Sequence, residues 1–248
     1  MILHNILPNI SVDCVIFGFD FEKLNILLVE RELRDITNGQ IITKDHTLPG
    51  YHIFEDENID NAASRILKDI TGLDNIYLEQ FYTFGNTDRL AKEKDQFWLE
   101  HNNKGFAERI LTVGYFSLID NTKVTLSQKG RKIQWFPIDV VREMDLGFDH
   151  KEIFYKALEA LRYKVIAEPI AFELLPDKFT LTQLQKLFEA VLGTSFDKRN
   201  FRKKVSQMPH VIALKEKQKG VAHKPAQLFL FSGEVYEKTK KERFGIMY

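Results

Sequence analysis

The chain has 248 residues, 44% hydrophobic and 28% charged, which is ordinary for a globular protein and enough for one large domain or two modest ones. A single cysteine excludes an intramolecular disulfide and a cysteine-type zinc site. The zero net charge hides a split: 17 of the 35 Lys+Arg and 9 of the 35 Asp+Glu fall from Arg162 onward, a net of +8, leaving 18 basic and 26 acidic residues before it, a net of −8.

Such asymmetry suggests two domains with different partners, the basic one suited to a polyanion. They are expected at residues 1–161 and 162–248. No apolar run nears the ~20 residues of a membrane-spanning helix, and no basic stretch followed by an apolar one marks a signal peptide. A cytoplasmic protein with no membrane partner is expected.

In chain order, Ser11–Phe19 and Leu24–Val29 are apolar runs joined by a polar turn, so two strands are expected. Cys14 sits within the first and is read as a core residue. Thr37-Asn38-Gly39 is a loop. Leu48-Pro49-Gly50 precedes a strand over Tyr51–Phe54. Ala62, Ala63, Ile66, Leu67 and Ile70 fall at helical spacing, predicting a helix over Asn61–Ile70 capped by Gly72. Glu79–Gly85, Ile110–Ile119 and Lys132–Pro137 are read as strands. The charged stretch Asp88–Arg109 between the first two is a short helix or a flap over a pocket. Lys151–Leu161 is an amphipathic helix. Pro169 and Pro176 then break the pattern, marking a linker helix or the start of a second domain. Strands alternating with helices imply an α/β or α+β domain of ~150 residues.

In the second part, Thr180 followed by Gln183 is a capping box. Leu181, Leu184, Leu187, Phe188 and Val191 give the helix an apolar stripe, and Gly193 ends it. Asp197 caps a second helix after a tight turn, making a helix-turn-helix. Phe201, Val205 and Met208 face the core, which directs Lys198, Arg199, Arg202 and Lys203 outward. A helix with cations on one face fits the major groove. Arg199, Asn200 and Arg202 are candidates to read bases, since arginine pairs with guanine and asparagine with adenine. Lys198, Lys203 and Lys204 suit phosphate contacts, which position without specifying. Val211–Leu214 and Gln227–Phe231 flank a basic, glycine-containing loop, expected as a β-hairpin wing. Its Lys215, Lys217, Lys219, His223 and Lys224 are candidates to touch phosphates.

The run from Leu48-Pro49-Gly50 to Gly72-Leu73 resembles the Nudix box. Tyr51 stands at its first glycine, Glu57 at its first glutamate, Arg65 at its arginine, Leu67 at its apolar position and Gly72-Leu73 at its close. Leu27-Leu28-Val29-Glu30-Arg31 resembles the Nudix strand that ends in arginine. The departures are Ile66 in place of the glutamate after the arginine, and Asp69-Ile70 in place of the Glu-Glu pair. Magnesium needs hard oxygen ligands. With two of four carboxylate positions kept, no hydrolysis, no catalytic residue, no metal and no cofactor are expected.

Together the two parts resemble the Nudix-related transcriptional regulators of the NrtR type. The resemblance rests on Leu146-Gly147-Phe148-Asp149-His150-Lys151, on Phe179-Thr180-Leu181-Thr182-Gln183-Leu184-Gln185, on Asp197-Lys198-Arg199-Asn200-Phe201-Arg202-Lys203 and on Lys224-Pro225-Ala226. Residues Leu90–Glu108 stand out as an insertion. The resemblance implies an α+β protein, a Nudix-like α/β/α sandwich followed by a winged helix-turn-helix. It also implies a homodimer that binds a palindromic operator, usually as a repressor, with a small-molecule effector in the Nudix-like pocket. Family members sense ADP-ribose or sugars such as arabinose. Depleted carboxylates and a net acidic domain favour a sugar, with Tyr51, His52, Tyr82 and Tyr115 to receive it. ADP-ribose, and an active Nudix pyrophosphohydrolase, are the alternatives. Arg31, Tyr51, His52, Glu57, Asp88 and Arg89, at strand ends or loops near the box, are the pocket candidates.

Overall fold

The structure is a computed structural model and describes residues 5–34, 39–102, 109–121, 124, 126, 132–220 and 224–244. The first part is built on one mixed sheet. Its strands are β1 (Ile6–Phe19), β2 (Leu24–Arg34), β3 (Ile41–Thr47), β4 (Gly50–Phe54), β5 (Tyr77–Phe84), β6 (Leu111–Asp120) and β7 (Ile133–Pro137). The main order is β3-β2-β1-β6-β5, with β4 also on β1 and β7 on β2. Among the described residues only β1 and β6 run parallel. The other edge of β1 is divided: β4 pairs along Ile6–Asp13 and β2 along Phe17–Phe19. A cleft opens where β2 and β4 diverge.

The period-2 pattern of β1 fixes the layers. Val12, Cys14 and Ile16 pack with α1 (Ile59–Thr71) through Ala62, Ala63, Ile66, Leu67 and Ile70. Val15, Phe17 and Phe19 pack on the opposite face with α3 (Ile138–Glu143) and α4 (His150–Ala167). This is an α/β/α sandwich. Asn58 caps α1 and Gly72 closes it in the left-handed region, as its position after the apolar stripe predicts.

A 3-10 turn over Pro169–Leu174 leads into the winged helix, formed by α5 (Leu181–Leu192), α6 (Lys198–Val205), the hairpin β8 (Val211–Lys217) and β9 (Gln227–Phe231), and α7 (Gly233–Phe244). Thr180 and Gln183 form the capping box, and Asp197 caps α6 by accepting from the Asn200 N–H at 2.9 Å. The sandwich core continues into this part: Leu158, Leu161 and Val165 of α4 share one cluster with Leu184, Leu187, Val191 and Val205. Residues 161 and 162, where the sequence division was set, both lie inside α4.

Several elements differ from the sequence reading. β1 starts at Ile6 and β2 runs on to Arg34. β3 was not foreseen because its residues, Ile-Ile-Thr-Lys-Asp-His-Thr, are largely polar; it pairs with β2 at the sheet edge and leaves Ile41 and Ile42 about half exposed. α3 is six residues long, and α7 is mostly charged, so neither shows a usable period. The charged stretch holds α2 (Glu93–Asn102), the helix alternative; residues 103–108 and His223 lie outside the described residues.

A buried polar network fastens α4 to β1. The Asp13 carboxylate accepts from the Thr112 hydroxyl at 2.7 Å and lies 3.5 Å from His150 Nε2 and 3.7 Å from Arg89 Nη2. A side chain on Gly50 would overlap this carboxylate, which explains glycine there. Arg89 grips Asp149 through two bonds of 2.9 and 2.8 Å and donates to the Ile110 carbonyl at 3.1 Å. His150 Nδ1 accepts from the Leu48 N–H at 2.9 Å, so the neutral ring carries its proton on Nε2, toward Asp13. Burial holds the His150 imidazole below its ordinary range, against the pull of Asp13 and Asp149. Burial holds His52 down as well.

In the unfolded chain these rings take their protons near pH ~6.5. Their contribution to stability is therefore complete above that value and lost as pH falls below it, by up to about 1.4 kcal/mol per pH unit per ring. Urea unfolding is expected to show stability falling from pH 7 to pH 5.5, with His150→Gln flattening the slope. A wild-type profile that is level over this range contradicts the assignment.

Candidate functional site

The cleft between β2 and β4 has a volume of ≈ 630 Å³. Four of the six expected pocket residues line it, Arg31, Tyr51, His52 and Arg89; Glu57 and Asp88 do not. Arg31, on β2, is buried deepest in charge. Its Nε and Nη2 bond Asp45 of β3 at 2.7 and 2.6 Å, and Nη2 also bonds Asp95 of α2 at 2.6 Å. The guanidinium lies against the rings of Trp98 and Phe148, at 5.2 and 4.7 Å, where the two rings meet edge to face. Burial opposes its charge, but Asp45 and Asp95 reverse that and hold it protonated. Gly147 lies so close that a Cβ there would sit 2.8 Å from Arg31 Nη2.

The other candidates hold structural positions. Arg89 is committed to Asp149 and Ile110 at the α4 junction. His52 is buried, with Nδ1 3.3 Å from the carbonyls of Leu7 and Ile10. Glu57 receives Arg65 through two bonds, at 2.9 and 2.5 Å, and the Phe54 N–H at 2.9 Å. Burial would raise the Glu57 carboxyl, yet these partners hold it below the usual range. Asp88 is exposed within the turn that leads to α2. Tyr51 is about half exposed at the cleft. Tyr82 and Tyr115 lie outside the lining, and the Tyr115 hydroxyl donates to Asp60 instead.

Sequence reading missed Asp45, Asp95, Trp98, Phe148 and His150 as parts of this site. Asp45 sits on the unforeseen β3, and Asp95 and Trp98 sit on α2, where no apolar period points inward. Phe148 left one signal, its place in the Leu146–Lys151 motif.

The donor set does not fit magnesium. Ile66 faces the cleft where a carboxylate is needed, Glu57 is held by Arg65, and Asp69 is the remaining box carboxylate on the lining. Among the described residues no three His, Cys, Asp or Glu come together as a metal site.

A second surface lies at the other end of the chain. Gln185 Nε2 donates to the Phe196 carbonyl at 2.9 Å, and the Phe196 N–H donates to Glu189 at 2.7 Å, which fixes the turn between α5 and α6. Val205 is buried, and Phe201 and Met208 pack on the same core. Lys198, Arg199, Asn200, Arg202, Lys203 and Lys204 of α6 are all exposed, as are Lys215, Lys217, Lys219 and Lys224 around the hairpin. Among the described residues none of these nine cations is in an ion pair, whereas Lys178 at the hairpin's flank is paired to Glu216 at 2.7 Å. The Phe179↔Phe229 bridge adds a third short strand segment to the hairpin.

Comparison with known proteins agrees with this two-part organisation. The profile of the NUDIX domain matches residues 7–157, and that of the NrtR DNA-binding winged helix domain matches residues 171–231. A curated relative from Acinetobacter baylyi, described as the ADPR responsive transcriptional repressor NtrR, is 31% identical over 93% of this chain and 84% of its own length. The crystal structure of Shewanella oneidensis NrtR complexed with a 27mer DNA is 27% identical, with a TM-score of 0.68 over 90% of this chain and 93% of that one. A MutT/nudix family protein from Enterococcus faecalis, at 22% identity, shares the fold with a TM-score of 0.64 over 91% of this chain and 88% of that one. The chain belongs to the NrtR-type family of transcription regulators, in which a Nudix domain is joined to a DNA-binding winged helix.

Proposed function

We propose that this protein is a cytoplasmic transcriptional repressor that binds a palindromic operator as a homodimer and senses a nucleoside diphosphate sugar of the ADP-ribose type. The observation that carries the DNA reading is the row of exposed cations on α6, without an ion pair among the described residues and set outward by Phe201, Val205 and Met208. Arg199, Asn200 and Arg202 read bases in this scheme; Lys198, Lys203, Lys204 and the hairpin lysines hold phosphates.

The effector reading departs from the sugar expected from sequence. Two of the four residues named for a sugar, Tyr82 and Tyr115, lie outside the cleft lining. Three arginines, Arg31, Arg65 and Arg89, line it, and the Acinetobacter relative is ADPR responsive. These observations support ADP-ribose over arabinose. The effector is bound and not hydrolysed, since the cleft does not supply a magnesium cage. A ligand shifts operator affinity only through its differential affinity for the two conformations.

Arg199→Ala is expected to weaken operator binding and relax base preference by about 1–3 kcal/mol. A gel shift against the protein's own upstream DNA measures this. Wild-type binding should also fall steeply with salt, through displaced counterions. An unchanged affinity and base preference in the variant would show that α6 is not the reading helix. Incubation with ADP-ribose and magnesium is expected to release no AMP. Release that disappears in Glu57→Gln would instead establish an active hydrolase.

A further inference from the structure

Arg31 has one donor group without a partner. Its side chain is 5% exposed, yet Nη1 makes no hydrogen bond among the described residues. A buried cation is normally bonded throughout, because each idle donor costs desolvation without return. The geometry explains why Nη1 is idle. Asp45 takes the Nε–Nη2 edge of the guanidinium in a two-bond fork. Phe148 and Trp98, whose rings meet edge to face, both lie beside it, at 4.7 and 5.2 Å. The remaining Nη1–Nη2 edge faces Asp95, but Asp95 bonds it through Oδ1 alone, at 2.6 Å. Its Oδ2 is turned away to accept the Phe148 N–H at 2.8 Å. Asp95 is therefore a one-handed partner on an edge built for two oxygens.

Two further features make this contact a poised one. Asp95 is fully buried, although it is carried on α2, a charged segment without an apolar stripe whose other ties are polar, Lys94 to Asp45 and to Asp145. Phe148, whose N–H Asp95 holds, has φ +55°, a left-handed conformation that side-chain-bearing residues rarely adopt. Phosphate oxygens span an arginine edge with two parallel bonds, which one carboxylate oxygen does not. Asp45 also takes Lys94 at 3.1 Å, so two carboxylates already balance the two cations beside them, and a phosphate gains this edge only as one carboxylate leaves.

We propose that Arg31 is the anion-binding residue of the cleft and that Asp95 is its built-in competitor, which leaves the Nη1–Nη2 edge when a diphosphate enters. Asp45 stays and keeps the guanidinium in place. Departure of Asp95 frees the Phe148 N–H and loosens α2 over the cleft. Phe148 is two residues before His150, where α4 begins, so the exchange occurs at the root of the helix that leads to the winged helix. The proposal rests on the reading of this cleft as an effector site, and it adds which residue binds the anion and what holds that residue in the absence of ligand.

The probe is inorganic pyrophosphate, with calorimetry on the full chain. Asp95→Asn keeps an acceptor for the Phe148 N–H and removes the charge facing Arg31. It is expected to bind pyrophosphate roughly tenfold more tightly than wild type, as follows when a closed form no longer competes. Arg31→Met is expected to lose binding. Equal affinity in wild type and Asp95→Asn, absence of binding in both, or retained binding in Arg31→Met overturns the proposal. A second measurement does not depend on either variant folding. In a Trp135→Phe background Trp98 is the sole tryptophan, and pyrophosphate is expected to make it more accessible to acrylamide. Unchanged quenching at saturating pyrophosphate overturns the proposal. If pyrophosphate follows this pattern while ADP-ribose does not bind, the exchange at Arg31 stands and the effector named above is wrong.

Discussion

A carboxylate in the middle of a buried strand must find partners, because an isolated buried charge is costly. Asp13 meets that demand on β1 with Thr112 beside it in the sheet and with His150 and Arg89 above it. Thr112 belongs to the sheet, whereas Arg89 brings Asp149, and His150 opens α4. The requirement to give one buried strand carboxylate polar partners thus bears on where the long helix starts. Everything downstream inherits that placement, since α4 carries the core surface on which α5 and α6 pack.

The same logic shows how far the sequence could be read. The alternation of Val12, Cys14 and Ile16 with Val15 and Phe17 announces a strand covered on both faces. The spacing of Ala62, Ile66 and Ile70 announces the helix on one of them. Caps at Thr180, Gly193 and Asp197 mark the ends of α5 and the start of α6, because capping is local chemistry. The cleft was half legible. Arg31 was named from its strand-end position, but its partners Asp45, Asp95 and Phe148 come from three separate segments, and no local pattern brings distant segments together. Glu57 was named for its place in the box and proves to serve Arg65 and the backbone at Phe54.

Arg65 illustrates how a box keeps its shape when its carboxylates change. It bonds Glu57 and the His52 carbonyl and lies over the Phe54 ring at 4.0 Å, tying α1 to β4. Those contacts need the arginine, the first glutamate and the helix, and none involves positions 66, 69 or 70. Ile66 and Ile70 instead pack α1 on β1, so the apolar residues at these positions serve the wall while removing carboxylates from the cleft. The cleft then presents arginines balanced by carboxylates, an arrangement suited to exchanging one anion for another.

The uninterrupted course of α4 also bears on how such a protein can be rearranged in evolution. The helix is the shared wall of two compartments: Ile153 and Phe154 near its start cover the sheet, while Leu161 and Val165 near its end belong to the cluster that holds Leu184 and Leu187. A recombination point placed within it would hand each product half of an interface matched to a lost partner. The 3-10 turn after it is no freer a boundary, since Ile170, Ala171 and Leu174 are buried in the same cluster, and exchange of the DNA-reading part between relatives is least disruptive when α4 and this turn stay with the sandwich.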